Sequence, residues 1–377
     1  MISPKYFFEE LNKNGINFFT GVPDSLLKEF CSYISNNTVG NSHIIAANEG
    51  NALAIASGYY LSCGKPALVY MQNSGLGNVI NPLLSLNDKN VYGIPALLLI
   101  GWRGEPNKKD EPQHIKQGEV TLDLLDAIGV KYYLLNEQSD DSMAEEVINQ
   151  AIEYMEEEKE PVAIIISKGT FQKYDGDGFS EGNIKLTRER AIEVLLNNIN
   201  EDYIIVSTTG KTSRELFELR EKHGESHERD FLVVGSMGHV SSIALGIALN
   251  KKDKSIYVFD GDGSFIMHMG SVAVNGQAKI ENFRHIVFNN GSHESVGGQP
   301  TVGQVINITD IARACGYDAT YSVGNEEELE KAIKDIAGYK GKVLLEIKIK
   351  NGSRADLGRP TISLKKMKDD FMEQINR

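Results

Sequence analysis

The chain has 377 residues, enough for two or three domains at about 150 residues each. Apolar residues make up 41% and charged residues 24%, which excludes wholesale disorder and leaves material for a sizeable core. With 39 Lys and Arg against 52 Asp and Glu the net charge is −13, which argues against nucleic acid or an anionic membrane as partner but leaves a small anionic substrate open. Cys31, Cys63 and Cys315 lie far apart with no CxxC, so they read as reduced, packed thiols rather than a cluster site or a disulfide frame. The opening residues, MISPKYFFEELNKNG, lack a basic segment leading into an apolar one, and the run Ile94–Trp102 is too short to cross a bilayer. A cytoplasmic protein is expected.

Strand-length apolar runs then alternate with helical patterns. In the first half the expected strands are Ile16–Thr20, His43–Ala46, Ala67–Met71, Ala96–Gly101, Lys131–Leu135 and Val162–Ser167, with helices such as Glu49–Leu61 and Ser142–Tyr154 between them. The pattern stops at Lys168. A polar, Gly-rich stretch over 169–185 reads as a linker, and Asp175-Gly176-Asp177-Gly178 within it as a flexible turn. A second series follows, with strands Tyr203–Ser207, Phe231–Val234, Ser255–Phe259, Arg284–Phe288, Thr320–Val323 and Val343–Ile349 and helices Thr187–Ile199, Val240–Leu249 and Glu326–Ile336. Alternation of this kind predicts two α/β domains, 1–168 and 186–377, each a doubly wound, mostly parallel sheet.

Two strand-to-helix turns invite comparison with phosphate sites. Gly210-Lys211-Thr212 looks like the end of a P-loop, but the first Gly of that pattern would fall at Ile205, inside a strand. Gly261-Asp262-Gly263-Ser264 follows an apolar strand, but Ile266 stands where a dinucleotide fingerprint needs Gly, and Phe265 and Ser271 break a calcium loop. What remains is a carboxylate between two glycines at a strand end, where backbone can approach a ligand closely. The next strand ends in Asn289-Asn290-Gly291-Ser292. Neighbouring parallel strands finish at one sheet edge, so Asp262 and Asn290 should lie side by side and offer hard oxygen ligands suited to Mg²⁺ and a diphosphate.

GDG, a helix and a strand, then NN resembles the signature of thiamine-diphosphate (ThDP) enzymes, and the likeness extends over both halves. It implies a metal held by Asp262, Asn290 and the Ser292 carbonyl. It implies a cofactor seat that includes Gly235, Ser236 and Met237, with Met237 wedging the cofactor into a V, and further contacts from Gly210, Thr212, Gly261, Gly263 and Ser264. In HIIAANEGNALAIASGYY, Glu49 matches the family glutamate that shares a proton with the pyrimidine N1′ atom. In its low-charge surroundings it is expected to have a raised pKa.

Two halves of this size leave no room for a middle domain. This two-domain form, with Gly21–Ser25 (GVPDS), Gly101–Gly104 (GWRG), Asp110–His114 (DEPQH), Gly291–Pro300 (GSHESVGGQP) and Gly352–Pro360 (GSRADLGRP), resembles the phosphonopyruvate and sulfopyruvate decarboxylases. The resemblance implies loss of CO₂ from an anionic 2-keto acid, at least a homodimer with active sites at the subunit interface, and no nucleic-acid or membrane partner. Asp24 and His114 are candidates for proton transfer, although Asp24 reads equally well as a helix N-cap. Arg103, Arg354, Arg359, His293 and Glu294 are weaker candidates for contact with substrate. The polar segment 105–117 is expected to be a loop, either a lid or ordinary surface. Rival readings are a P-loop or dinucleotide enzyme and a non-catalytic regulator on the same fold.

Overall fold

The computed structural model describes residues 1–176, 184–199 and 202–377. Asp177 and Gly178 of the polar turn, and 179–183 of the connecting stretch, lie outside the described residues. The chain forms two compact units, Met1–Phe179 with Ser295–Gln299, and Ser180–Glu294 with Pro300–Arg377.

In the first unit, β1 (Phe19–Gly21), β2 (His43–Ile45), β3 (Leu68–Gln72), β4 (Leu97–Gly101), β5 (Lys131–Leu135) and β6 (Val162–Ile166) make one parallel sheet, ordered β2-β1-β3-β4-β6-β5. Side chains alternate across it. Leu68 and Tyr70 pack with Phe7 and Phe30 on one face, while Val69 and Met71 pack with Ala52 and Leu53 on the other. Both faces are covered, which is why these strands read as unbroken apolar runs. β1 starts three residues later than expected, because the Ile16 amide closes the turn after helix Pro4–Lys13 by donating to the Leu11 carbonyl.

In the second unit, β7 (Tyr203–Ser207), β8 (Asp230–Leu232), β9 (Ser255–Gly261), β10 (Asn282–Asn289), β11 (Ala319–Val323) and β12 (Gly341–Lys348) form a second parallel sheet, ordered β11-β12-β10-β9-β7-β8. Its two apolar layers divide in the same way, with Ile205 and Tyr257 on one face and Val206 and Val258 on the other. Read from the β8 edge, its order repeats that of the first sheet. In each unit the second strand lies on one side of the first and the third on the other. That reversal opens a crevice at the carboxyl ends of the strands, where α/β sheets bind ligands. It falls between β1 and β3 in one unit and between β7 and β9 in the other.

Two expectations are corrected. Segment 105–117 is a loop only as far as Glu111, since helix Pro112–Ala127 begins there with Pro at its first position. Pro favours that position because its fixed φ suits the helix and its missing N–H would go unused. Cys63 is exposed rather than packed, at the end of helix Glu49–Cys63; Cys31 is buried, and all three thiols are free.

Candidate active site

At the first unit's reversal, the chain leaves β1 through Val22 and Pro23 to Asp24, which is fully buried. Its Oδ2 accepts the Leu26 amide at 2.9 Å and its Oδ1 accepts Gln72 Nε2 at 2.8 Å. The following helix, Lys28–Asn37, is capped by Leu27 with no side-chain bond, so Asp24 is not its N-cap. Gly101, at the end of β4, makes room for it: a Cβ there would lie 2.2 Å from Asp24 Oδ2. Burial raises the Asp24 pKa, against the donors Gln72, Leu26 and Ser25 and the nearby Arg103 charge.

Arg103 follows β4. Its Nε donates to Asp110 Oδ2 at 2.8 Å, Nη2 donates to Asp110 Oδ1, and Nη1 donates to Ser25 Oγ at 2.8 Å. Buried Asn73 holds the Arg103 backbone, donating to its carbonyl at 2.8 Å and accepting its amide at 3.1 Å. Although Asp110 is partly buried, the Arg103 guanidinium and the amides of Gly104 and Glu111 hold its carboxyl well below the usual range. Among the described residues, these bonds engage three of the five guanidinium N–H groups. His114 sits in the first turn of helix Pro112–Ala127, half-buried, its carbonyl tight against Gly104.

Glu49 opens its own helix, which Asn48 caps by accepting the Asn51 amide at 2.9 Å. Glu49 is 5% exposed, and its Oε2 accepts Asn78 Nδ2 at 2.7 Å. A Cβ on Gly75 would fall 2.5 Å from the Glu49 side chain. The segment 72–78 after β3 therefore touches both carboxylates, through Gln72 at one end and Gly75 and Asn78 at the other. The sequence reading missed these partners. Their signal was positional: they follow the third strand of a doubly wound sheet.

In the second unit the Gly261↔Phe288 register of β9 and β10 brings Asp262 beside Asn290. Asp262 is 3% exposed, and its Oδ2 accepts the Thr301 hydroxyl. Burial pushes its carboxyl up to about 6, opposed by Thr301 and by the amides of Asp262, Gly263 and Asn290. Asn290 Oδ1 accepts the Ser292 amide at 3.1 Å, and its Nδ2 donates to Glu294 Oε2 at 3.1 Å. Gly303 is a further fitted glycine, since a Cβ there would sit 2.7 Å from Asp262.

Around this edge Ser236 holds φ +48, rare for a residue with a side chain, and Gly238 follows at φ +86. Ser264 Oγ ties the edge together, accepting Thr208 Oγ1 at 3.1 Å and the Gly238 amide at 3.2 Å. Gly261 ends β9, with only open space where a Cβ would lie. A Cβ on Gly263 would meet the His293 ring at 3.1 Å and the Met237 methyl at 3.3 Å, so the three surround one bare patch of backbone. Burial lowers the His293 pKa to about 4. Gly235 precedes this turn, Gly210 (φ +92) caps helix Lys211–His223, and Thr212 is buried in that helix's first turn.

Not every candidate joins these groups. Glu294 touches the site only through Asn290 among the described residues, and it accepts Lys211 Nζ at 2.7 Å and Arg188 Nη1 at 3.0 Å, so two cations already balance it. Arg354 is exposed and shared among Glu189, Glu218 and Asp356. Arg359 lies exposed in the same irregular stretch.

Among the described residues no three His, Cys, Asp or Glu side chains are placed to hold a metal. A cation at this edge would rest on one carboxylate, one amide oxygen and a backbone carbonyl. Asp262 suits it, being a buried carboxylate with neutral donors only, a situation a divalent ion relieves.

Two parallel doubly wound sheets, one edged with buried carboxylates and the other with a GDG–NN pair, define an enzyme assembled from two cofactor-binding domains. Residues 4–120 match the thiamine pyrophosphate enzyme N-terminal TPP binding domain, and residues 209–347 match the C-terminal one. The chain is 33% identical over 364 residues to phosphonopyruvate decarboxylase of Streptomyces viridochromogenes, covering 93% of this chain and 89% of that one. It is 33% identical to phosphonopyruvate decarboxylase of Streptomyces hygroscopicus (99% and 94% covered) and 28% identical to sulfopyruvate decarboxylase of Methanosarcina acetivorans (92% and 90% covered). The chain belongs to the thiamine-pyrophosphate enzymes, in the two-domain decarboxylase family of phosphonopyruvate decarboxylase, and is a carboxy-lyase.

Proposed function

We propose that the chain catalyses the ThDP- and Mg²⁺-dependent, non-oxidative decarboxylation of 3-phosphonopyruvate to phosphonoacetaldehyde and CO₂, a step in phosphonate (2-aminoethylphosphonate) biosynthesis. The observation that carries the reading is Arg103, fixed by Asp110 and Ser25 beside buried Asp24, with two N–H groups left over among the described residues. A planar guanidinium with two free donors matches two phosphonate oxygens. A carboxyl held by neutral donors beside it can carry the proton that must reach the carbon vacated by CO₂. His114 is a second candidate for that transfer.

The cofactor, when bound, supplies the electron sink that lets CO₂ leave. The residues of this chain bind and orient it. Asp262, the Asn290 side-chain oxygen and the Ser292 carbonyl would hold Mg²⁺. Gly235, Ser236, Met237, Gly261, Gly263 and Ser264 would seat the cofactor, with Gly210 and Thr212 beside them. Glu49 would share a proton with the pyrimidine N1′ atom, kept in place by Asn78 and Gly75. His293 and Glu294 remain candidates for substrate contact. The family resemblance supports at least a homodimer with active sites at the subunit interface, acting in the cytoplasm.

The test is aldehyde release from phosphonopyruvate, sulfopyruvate and pyruvate, each with and without ThDP and Mg²⁺. The expected result is ThDP-dependent turnover with phosphonopyruvate preferred. Preference for sulfopyruvate would overturn the substrate and keep the class.

A further inference from the structure

We propose that Gln72 is a positioning residue that fixes the Asp24 carboxyl for proton transfer. The inference rests on the reading of Asp24 given above.

Gln72 ends β3, across the sheet reversal from Asp24. Its Nε2 donates to Asp24 Oδ1 at 2.8 Å, while its own Oε1 accepts the Ser74 hydroxyl at 2.9 Å. The bond to an ionised Asp24 sets which end of the amide faces it, since a flipped amide would put oxygen against carboxylate oxygen, and the Ser74 hydroxyl donates to the other end. On the other carboxyl oxygen the Leu26 amide donates at 2.9 Å, and Gly101, having no Cβ, leaves that oxygen its place. Gln72 is thus the side chain that hydrogen-bonds Asp24, among the described residues.

The charged and titratable groups around Asp24 come from three places. Arg103, after β4, directs its described bonds to Asp110 and Ser25. Cys31, in helix Lys28–Asn37, receives the Asp24 amide at its sulfur, and Tyr70 of β3 lies beyond it. Neither Cys31 nor Tyr70 ionises near neutral pH, because burial pushes both up. A donor on an ionised carboxylate favours that form, so removing the Gln72 amide must move Asp24 ionisation to higher pH.

The experiment compares Gln72→Met, which keeps length and volume, with Gln72→Glu and Asp24→Asn. Asp24 titration is followed by ¹³C-carboxyl NMR of the full chain, with Asp24→Asn assigning the signal, alongside kcat and KM across pH. In Gln72→Met the Asp24 titration should rise by about one pH unit, corresponding to a lost hydrogen bond to a charged group. Its kcat should fall about tenfold to a hundredfold with KM nearly unchanged. Gln72→Glu should be active only at low pH, where one carboxyl can donate to the other. An unmoved titration in Gln72→Met overturns the inference, whatever the substrate proves to be. Full activity in Asp24→Asn overturns the reading of Asp24 on which the inference stands.

Discussion

The two units wind their strands in the same order and load equivalent strand ends differently. After the first strand of each unit stands Asp24 in one and Thr208-Thr209-Gly210 in the other. From the end of the third strand come Gln72 through Asn78 in one, and after it Asp262-Gly263-Ser264 in the other. In the first unit the buried carboxylates Asp24 and Glu49 face amide donors, Gln72 and Asn78. In the second the buried carboxylate Asp262 faces a hydroxyl and backbone amides, and an asparagine stands beside it. In the function proposed above, the first arrangement handles protons. The second offers oxygens to a cation and bare backbone to a phosphate. Topology made two crevices, and the residues at the strand ends decided their chemistry.

The largest expected effect is in the second unit. Asp262→Ala should abolish Mg²⁺-dependent ThDP binding measured by calorimetry, and unchanged affinity would refute its assignment as a metal ligand. Glu49→Gln should break the first unit in the opposite sense. ThDP should still bind, while turnover falls about 10²- to 10⁴-fold, the usual weight of a proton-transferring group. Retained full activity would remove Glu49 from the chemistry. Arg103→Lys should raise KM for an anionic substrate about tenfold or more with kcat less affected, because an ammonium cannot reproduce the fork held by Asp110. An equal KM would show that the phosphonate is held elsewhere.

The smallest effect is on stability, and its sign differs between Asp262 and Asp110. The Asp262 carboxyl lies above its ordinary value, so the ligand-free fold binds more protons than the unfolded chain and loses stability as pH rises from about 3.8 to about 6. Asp262→Asn should therefore melt higher than the parent at pH 8 and equally at pH 3.5. Asp110 lies below its ordinary value, so its contribution is present above about 3.8 and is lost as pH falls. Asp110→Asn should melt lower than the parent at pH 7, with the gap closing in acid. Thermal melts of ligand-free protein across pH would expose a reversed sign in either case.

The sequence by itself determined most of the architecture. Runs such as Ala96–Gly101 and Val162–Ser167 can only be strands covered on both faces, and their alternation with helices specifies parallel sheets. It also brought Asp262 and Asn290 together, since the ends of neighbouring parallel strands share an edge. Tertiary structure decided what depends on contacts distant in the chain. Asp24 read equally as a cap or a reacting group until the structure showed Leu27 at the cap and Gln72, 48 residues away, on its carboxyl. Helix Pro112–Ala127 was hidden by its polar first turn, and Asp110 became legible only once Arg103 lay against it. Local pattern reports which face of an element is buried. It does not report which polar atom waits on the other side of a crevice, because that partner is chosen by the winding of the whole sheet.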